Sequence, residues 1–264
     1  MLNEPGQSPY DLSFNFLGFP VRVTWTFWLL ALLLGWGWSQ GLHNLALRSN
    51  IESPGAPALL LIWVASVFVS ILVHELGHAL AYRKFGQRAH IVLYHFGGLA
   101  ICNSFTSWDG ARRARTSAKE DLLIAAAGPA AQLLLAIVVG VIGYKLNVAH
   151  GWLIDLLRIP GADVSQWKTI VWYAVFDSLV VTSVFWAIIN LAPVLPMDGG
   201  QIMYNLMVMF DVREAWLKAR QVSIAAGIAM GLFFMMTFGG MSGIMFFLFA
   251  ANNWQEMQQG GRGF

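Results

Sequence analysis

This sequence has little charge and almost no cysteine. Asp, Glu, Lys and Arg make up 11% of its 264 residues, against roughly 25% in a soluble domain. So few charges cannot cover a globule in water. Disordered and coiled-coil classes, which need polar or charged composition, are excluded as well. One cysteine, Cys102, allows no internal disulfide. A formal net charge of +2 is too small for a nucleic-acid footprint, so no nucleic-acid partner is expected. Internal repeats and low-complexity tracts are lacking too, which excludes solenoids and arrays. What fills the chain is apolar: 57% hydrophobic residues and a mean hydropathy of +0.60. A multi-pass, all-α integral membrane protein is expected.

A membrane-crossing helix needs roughly 20 apolar residues. Segments of about that length run over 21–38, 57–82, 121–144 and 169–195. A fifth apolar region, 222–253, is too long for one span. Gly239, Gly240 and Gly243 interrupt it, which suggests two shorter helices and about six in all. The first segment is not expected to be a cleaved leader, because mixed residues rather than a basic start precede it.

Positive charge orients this bundle. With alternating segments, twelve of the sixteen Lys and Arg fall on one side, seven of them between the second and third segments. That side is expected to be cytoplasmic, together with both termini, in a cell (plasma or inner) membrane. Between the same two segments, 88–105 carries two β-prone runs around Gly97-Gly98. They suggest a small hairpin, apolar enough to be re-entrant at membrane depth.

The sharpest chemical signal is His74-Glu75-Leu76-Gly77-His78. Residues four apart share a helix face, so both imidazoles can hold one zinc with Glu75 beside them. Such a metal polarises a carbonyl and acidifies water, whose proton a nearby glutamate can take. Ionisable side chains are costly inside a bilayer and mark functional sites there. With Tyr82 near the interface, His78 and His74 would lie roughly 6 and 12 Å inside, at 1.5 Å per residue.

A catalytic zinc needs a third protein ligand and one open position. Asp177 and Asp198 are the candidates on the fourth segment. That segment runs inward, so Asp177 falls in the outer half, paired or facing a polar cavity. Asp198 sits where Pro193, Pro196, Gly199 and Gly200 break the helix, in the same leaflet as the histidines. Asp198 is the better ligand.

The residues His74 to Ala79, Ala127-Gly128-Pro129-Ala130-Ala131-Gln132, and the run Asn190-Leu191-Ala192-Pro193-Val194-Leu195-Pro196-Met197-Asp198-Gly199-Gly200 resemble, in that order, the site-2 protease family of intramembrane zinc metalloproteases. The resemblance implies one zinc per chain on His74, His78 and Asp198, with Glu75 as general base. It also implies that Asn190 helps hold substrate or oxyanion, and that the Gly97-Gly98 hairpin pairs with substrate. His95 is a further oxyanion or substrate candidate. Gln132 departs from the asparagine frequent in the family, and the resemblance assigns it no role. Residues 1–264 would then form one membrane-embedded metalloprotease domain, with a catalytic core of about 57–200 and C-terminal helices over about 201–254. No PDZ or CBS domain is expected.

The expected activity is hydrolysis of a peptide bond in or near a transmembrane segment of another, for example single-span, membrane protein. The sequence leaves the oligomeric state open. The main rival is a zinc- or proton-coupled transporter using the same His and Asp residues. It gives Glu75 no task and commonly shows inverted repeats, which this chain lacks. Gly37-Trp38-Ser39-Gln40-Gly41 imitates a serine nucleophile elbow, but that motif follows a strand, and here an apolar helical segment precedes it.

Overall fold

The computed structural model describes residues 4–95, 97–102, 117–146, 170–238 and 243–259. Within them lie strands β1 (Leu12–Phe16) and β2 (Phe19–Val23), helices α1 (Trp25–Arg48) and α2 (Ala56–Lys84), and strands β3 (Ala89–Tyr94) and β4 (Gly97–Cys102). Helices α3 (Ala118–Lys145), α4 (Val171–Asn190), α5 (Asp198–Met209), α6 (Ala215–Phe238) and α7 (Ile244–Gln258) follow. The protein is mostly helical, with one small sheet.

Four points refine or correct the sequence reading. First, among the described residues four helices, α2, α3, α4 and α6, meet the length and apolarity of a membrane span, which leaves the expected count of six unconfirmed. Helix α1 has the length but carries Ser39, Gln40, His43 and Asn44 in its second half, and α7 has only 15 residues. Second, residues 21–23 are strand rather than the start of a span. Leu17 and Gly18 take positive φ (50° and 83°), the twist a two-residue hairpin turn needs, and Phe19, Val21 and Val23 bury one face of β2. Third, the expected hairpin is half of a four-stranded sheet of order β1-β2-β3-β4, in which β2 and β3 pair in parallel. Helices α1 and α2 make the crossover that parallel pairing requires. Fourth, Asp198 does not end the fourth helix. Helix α4 stops at Asn190, and Asp198 is the first residue of a new helix. Pro193 and Pro196 lie in the break, where a missing N–H costs no helical hydrogen bond.

Strand β3 explains how the sheet sits. Ile91, Val92 and Leu93 are all fully buried, so both faces are covered, as a continuous apolar run in a strand implies. One face packs on α2 through Ile71, Leu72, Leu76 and Ala79. The basic residues Arg112, Arg113, Arg115, Arg158 and Lys168, and the Gly239-Gly240 break, lie outside the described residues.

Helix α3 begins with a capping box, Ser117 and Glu120 each closing on the other's backbone. It crosses α2 at very close range: a Cβ on Gly128 would strike the His78 imidazole, and one on Gly77 would strike the Ala127 carbonyl. The Ala127-Gly128-Pro129 stretch thus makes room for a histidine. In the same manner Gly227 of α6 lies against Phe246 and Ala250 of α7, the small-residue packing common between membrane helices.

Candidate metal centre

His74 and His78 share one face of α2 and are 2% and 8% exposed. The break after α4 turns the chain so that Asp198, also 8% exposed, meets them from the start of α5. The Nε2 atoms of the two histidines lie 3.1 Å apart. Asp198 Oδ2 is 3.0 Å from His74 Nε2, and its Oδ1 is 3.3 Å from His78 Nε2. Among the described residues these three form the group of His, Cys, Asp or Glu side chains whose donor atoms all fall within 4.8 Å.

The other ring nitrogens decide what that convergence means. His78 Nδ1 is 2.7 Å from the Ile124 carbonyl, which can only accept, so Nδ1 carries the proton. His74 Nδ1 is 3.0 Å from Gln132 Oε1. Gln132 is oriented in turn, since its Nε2 donates to Ser70 Oγ at 2.8 Å and to the Ser70 carbonyl at 3.4 Å. With both Nδ1 atoms donating, both Nε2 atoms present lone pairs to each other and to a carboxylate. Asp198 Oδ2 makes no well-aligned hydrogen bond despite its closeness. Three electron-rich groups buried together repel one another. A proton would relieve one pair, whereas a divalent cation relieves all three. Two imidazoles and a carboxylate, with outer hydrogen bonds fixing the rings, suit zinc with a position left open.

Glu75 lies beside this group and is 4% exposed. Its carboxylate accepts from the Ala100 backbone N–H of β4. A Cβ at Gly98 would collide with the same carboxylate, so only glycine lets β4 run this close. A cavity of about 140 Å³ opens here. His74, Glu75, His78 and Asp198 line it, together with Asn190 at the end of α4 and Gly98 to Ala100 of β4.

The register of β4 corrects the sequence reading of the hairpin. Tyr94 pairs with Gly97, Leu93 with Gly98 and Val92 with Leu99, so the two glycines belong to the strand rather than to the turn. Hydrogen-bonded and non-hydrogen-bonded pairs alternate along an antiparallel ladder, and Leu93–Gly98 is of the second kind. Leu99 therefore spends its N–H and C=O on Val92, while Gly98 and Ala100 point theirs away from β3, to a side that pairs with no strand among the described residues. Two observations agree with that parity. The Leu93 carbonyl is turned away from β4 and accepts from Thr24 N–H at 2.9 Å, and the Ala100 N–H reaches Glu75.

Other expected residues are not brought to the cavity. His95 stands at the turn with Nδ1 3.2 Å from Thr26 Oγ1, and Gly97 faces Trp186, which would strike a Cβ there. Asp177 accepts from the Trp38 and Tyr173 side chains, away from His74 and His78. Sequence reasoning missed Gln132, Ser70 and Trp186. Gln132 stood in a quoted motif, but nothing in the sequence connects it to a histidine 58 residues earlier.

Comparison with known proteins agrees with this chemistry. A family model described as Peptidase family M50 matches residues 62–236. A Synechocystis protein whose name assigns it provisionally as a zinc metalloprotease is 27% identical over 197 residues, covering 73% of this chain and 43% of that protein. A zinc metalloprotease of Methanocaldococcus jannaschii is 25% identical over 177 residues, covering 67% of this chain and 42% of that protein. The chain thus spans less than half the length of these curated relatives. The solved structure of a site-2 protease from Methanocaldococcus jannaschii matches over 97% of both chains, at 21% identity and a TM-score of 0.47. Since the family model covers well over half of its length, the chain belongs to peptidase family M50, the zinc metalloproteases that include the site-2 proteases.

Proposed function

We propose that this protein is an intramembrane zinc endopeptidase that hydrolyses a peptide bond in or near a transmembrane segment of another membrane protein. The observation that carries the reading is the meeting of two imidazole lone pairs and the Asp198 carboxylate beside buried Glu75, in a cavity bordered by a strand edge. His74, His78 and Asp198 hold the metal. Zinc, when bound, supplies Lewis acidity to the scissile carbonyl and to water.

The chain's own residues do the rest. Glu75 takes the proton of the attacking water and can return it to the leaving amine, as a general base and then acid. Its seat against Gly98 and Ala100 fixes it where an incoming backbone would lie. A transmembrane helix must unwind before its peptide bond can be attacked, and its freed N–H and C=O groups need partners at membrane depth. The outward N–H and C=O of Gly98 and the outward C=O of Ala100 supply them by strand addition. Asn190, at the wall of the cavity, presents an amide donor to the developing oxyanion. His95, held at Thr26, has no part in these steps.

The charge distribution supports a cytoplasmic position for the sheet and for both termini, in a plasma or inner membrane. Residues 57–200 form the catalytic core of one membrane-embedded unit. The transporter reading is not favoured: it leaves unexplained a carboxylate seated on a strand edge. The direct test is co-expression with single-span membrane proteins, comparing wild type with Glu75→Gln. Cleavage by wild type alone supports the proposal, and equal cleavage by both removes it.

A further inference from the structure

The loop that delivers Asp198 is gripped from outside the histidine helices. Leu195, three residues before Asp198, has both backbone groups taken by the C-terminal helix pair. Its N–H donates to Ser223 Oγ of α6 at 3.0 Å, and its carbonyl accepts from Asn253 Nδ2 of α7 at 2.7 Å. Both side chains are buried, Ser223 at 0% and Asn253 at 1% exposed. Each is secured in turn. Ser223 Oγ donates to the Ala219 carbonyl at 2.7 Å, and Asn253 Nδ2 is shared with the Phe249 carbonyl at 2.8 Å.

Asn253 is further fixed by a cation. Arg220, 6% exposed, donates through Nη1 to Asn253 Oδ1 at 3.1 Å. It also forms an ion pair with Glu256 and lies 4.9 Å over the Trp216 ring. A buried arginine on a membrane helix is costly, and one held by an amide, a carboxylate and a ring face has a specific task. Arg220 Nη1 can bond Asn253 Oδ1 only if the amide presents its Nδ2 elsewhere, and that Nδ2 points at Leu195. Val194 and Met197, on either side of Leu195 and Pro196, pack on Phe234 and Phe246 of the same two helices. Polar and apolar contacts therefore act on one short stretch that ends at the carboxylate.

We propose that α6 and α7 form a clamp on the Asp198 loop, with Asn253 as its positioning residue, and that this clamp sets metal affinity. The proposal rests on the reading of Asp198 as third ligand. Asn253 itself lies beyond residues 62–236 matched by the family model, so the family match does not supply it. An outer residue that orients a ligand typically changes metal affinity by about 10–100-fold.

Asn253→Asp isolates the effect. An aspartate keeps an oxygen for Arg220, so the helix pair stays joined, but it loses the donor to Leu195 and turns a negative charge toward that carbonyl. Ser223→Ala removes the other bond with little change in volume. The two variants, wild type and Asp198→Ala are purified in detergent, and zinc affinity is measured by chelator competition. The cobalt(II) absorption spectrum is recorded as a readout of ligand geometry, and thermal unfolding of the metal-free proteins is followed in parallel. The expected result is a tenfold or larger loss of affinity and an altered cobalt spectrum for Asn253→Asp, a smaller loss for Ser223→Ala, and unfolding close to wild type for both. Wild-type affinity and spectrum in both variants, with Asp198→Ala unable to hold metal, overturns the clamp and leaves the ligand reading intact. Full metal loading of Asp198→Ala overturns the ligand reading and the clamp with it. If Asn253→Asp does not fold, Ser223→Ala decides alone: unchanged affinity and spectrum overturn the clamp.

Discussion

His74 Nδ1 donates to Gln132 Oε1 across 3.0 Å, and Gln132, itself fully buried, is held on its other side by Ser70. Ser70 Oγ also accepts from Ser183 at 3.0 Å. The chain His74–Gln132–Ser70–Ser183 therefore runs through α2, α3 and α4. It fixes one imidazole with its Nε2 lone pair turned toward Asp198, the state in which a histidine can bind a metal.

Replacing Gln132 tests that link. Gln132→Leu leaves the His74 Nδ1–H buried without its acceptor and takes one of two donors from the Ser70 hydroxyl, and is expected to weaken zinc binding by about 10–100-fold. Gln132→Glu keeps an acceptor for His74 and lets Ser70 donate instead, and is expected to stay near wild type. Chelator competition on both proteins is the measurement. Undiminished affinity in Gln132→Leu would show that this bond does not set the ring.

Glu75→Gln is expected to keep zinc near one per chain while turnover falls by about 10²–10⁴-fold, the usual worth of a general base. Metal content and the cleavage rate of a single-span substrate are read on the same preparation. Normal turnover would take Glu75 out of the mechanism.

The two aspartates should behave oppositely. Asp198→Ala leaves two neutral imidazoles for a doubly charged ion and is expected to lose most zinc and all proteolysis. Asp177, bonded to Trp38 and Tyr173, is not near the imidazoles, and Asp177→Ala should remain loaded. A metal assay on both mutants decides it; an empty Asp177→Ala beside a loaded Asp198→Ala would reverse the assignment.

Proline separates the two kinds of backbone donor in β4. At Ala100 it removes the N–H that seats Glu75 while sparing the ladder, so cleavage should fall with little change in unfolding temperature. At Leu99 it removes the bond to Val92, and its main effect should be a lower unfolding temperature. Full cleavage by folded, zinc-loaded Ala100→Pro would show that this bond does not seat Glu75.

Reporter fusions after Lys119 and Arg220 should report cytoplasm, and one near Ser53 the opposite side. The reverse pattern would overturn the orientation.

The sequence by itself determined the membrane class and the face that the two imidazoles share, and it ranked Asp198 above Asp177 as the carboxylate to meet them. Low charge and long apolar runs leave no other solvent for the chain. The i, i+4 spacing of His74 and His78 is a local geometric fact, true of any helix. The sidedness of the bilayer converts charge counts into a leaflet, which brought Asp198 within reach. Tertiary structure alone decided what depends on parity, packing and distant partners. Which N–H groups of β4 point away from β3 turns on the pairing of Val92 with Leu99, and one residue of slip would exchange Leu99 for its neighbours. The first two strands escaped notice because Leu12–Phe16 is mostly exposed and shows its purpose only when β2 is seen beside β3. The partners of the ligands lie far away in sequence: Gln132 for His74, the Ile124 carbonyl for His78, and Ser223 and Asn253 for the Asp198 loop. Hydrogen bonds across such separations leave no periodic or compositional trace, since any of many polar residues on neighbouring helices could have made them, and only packing selects which one does.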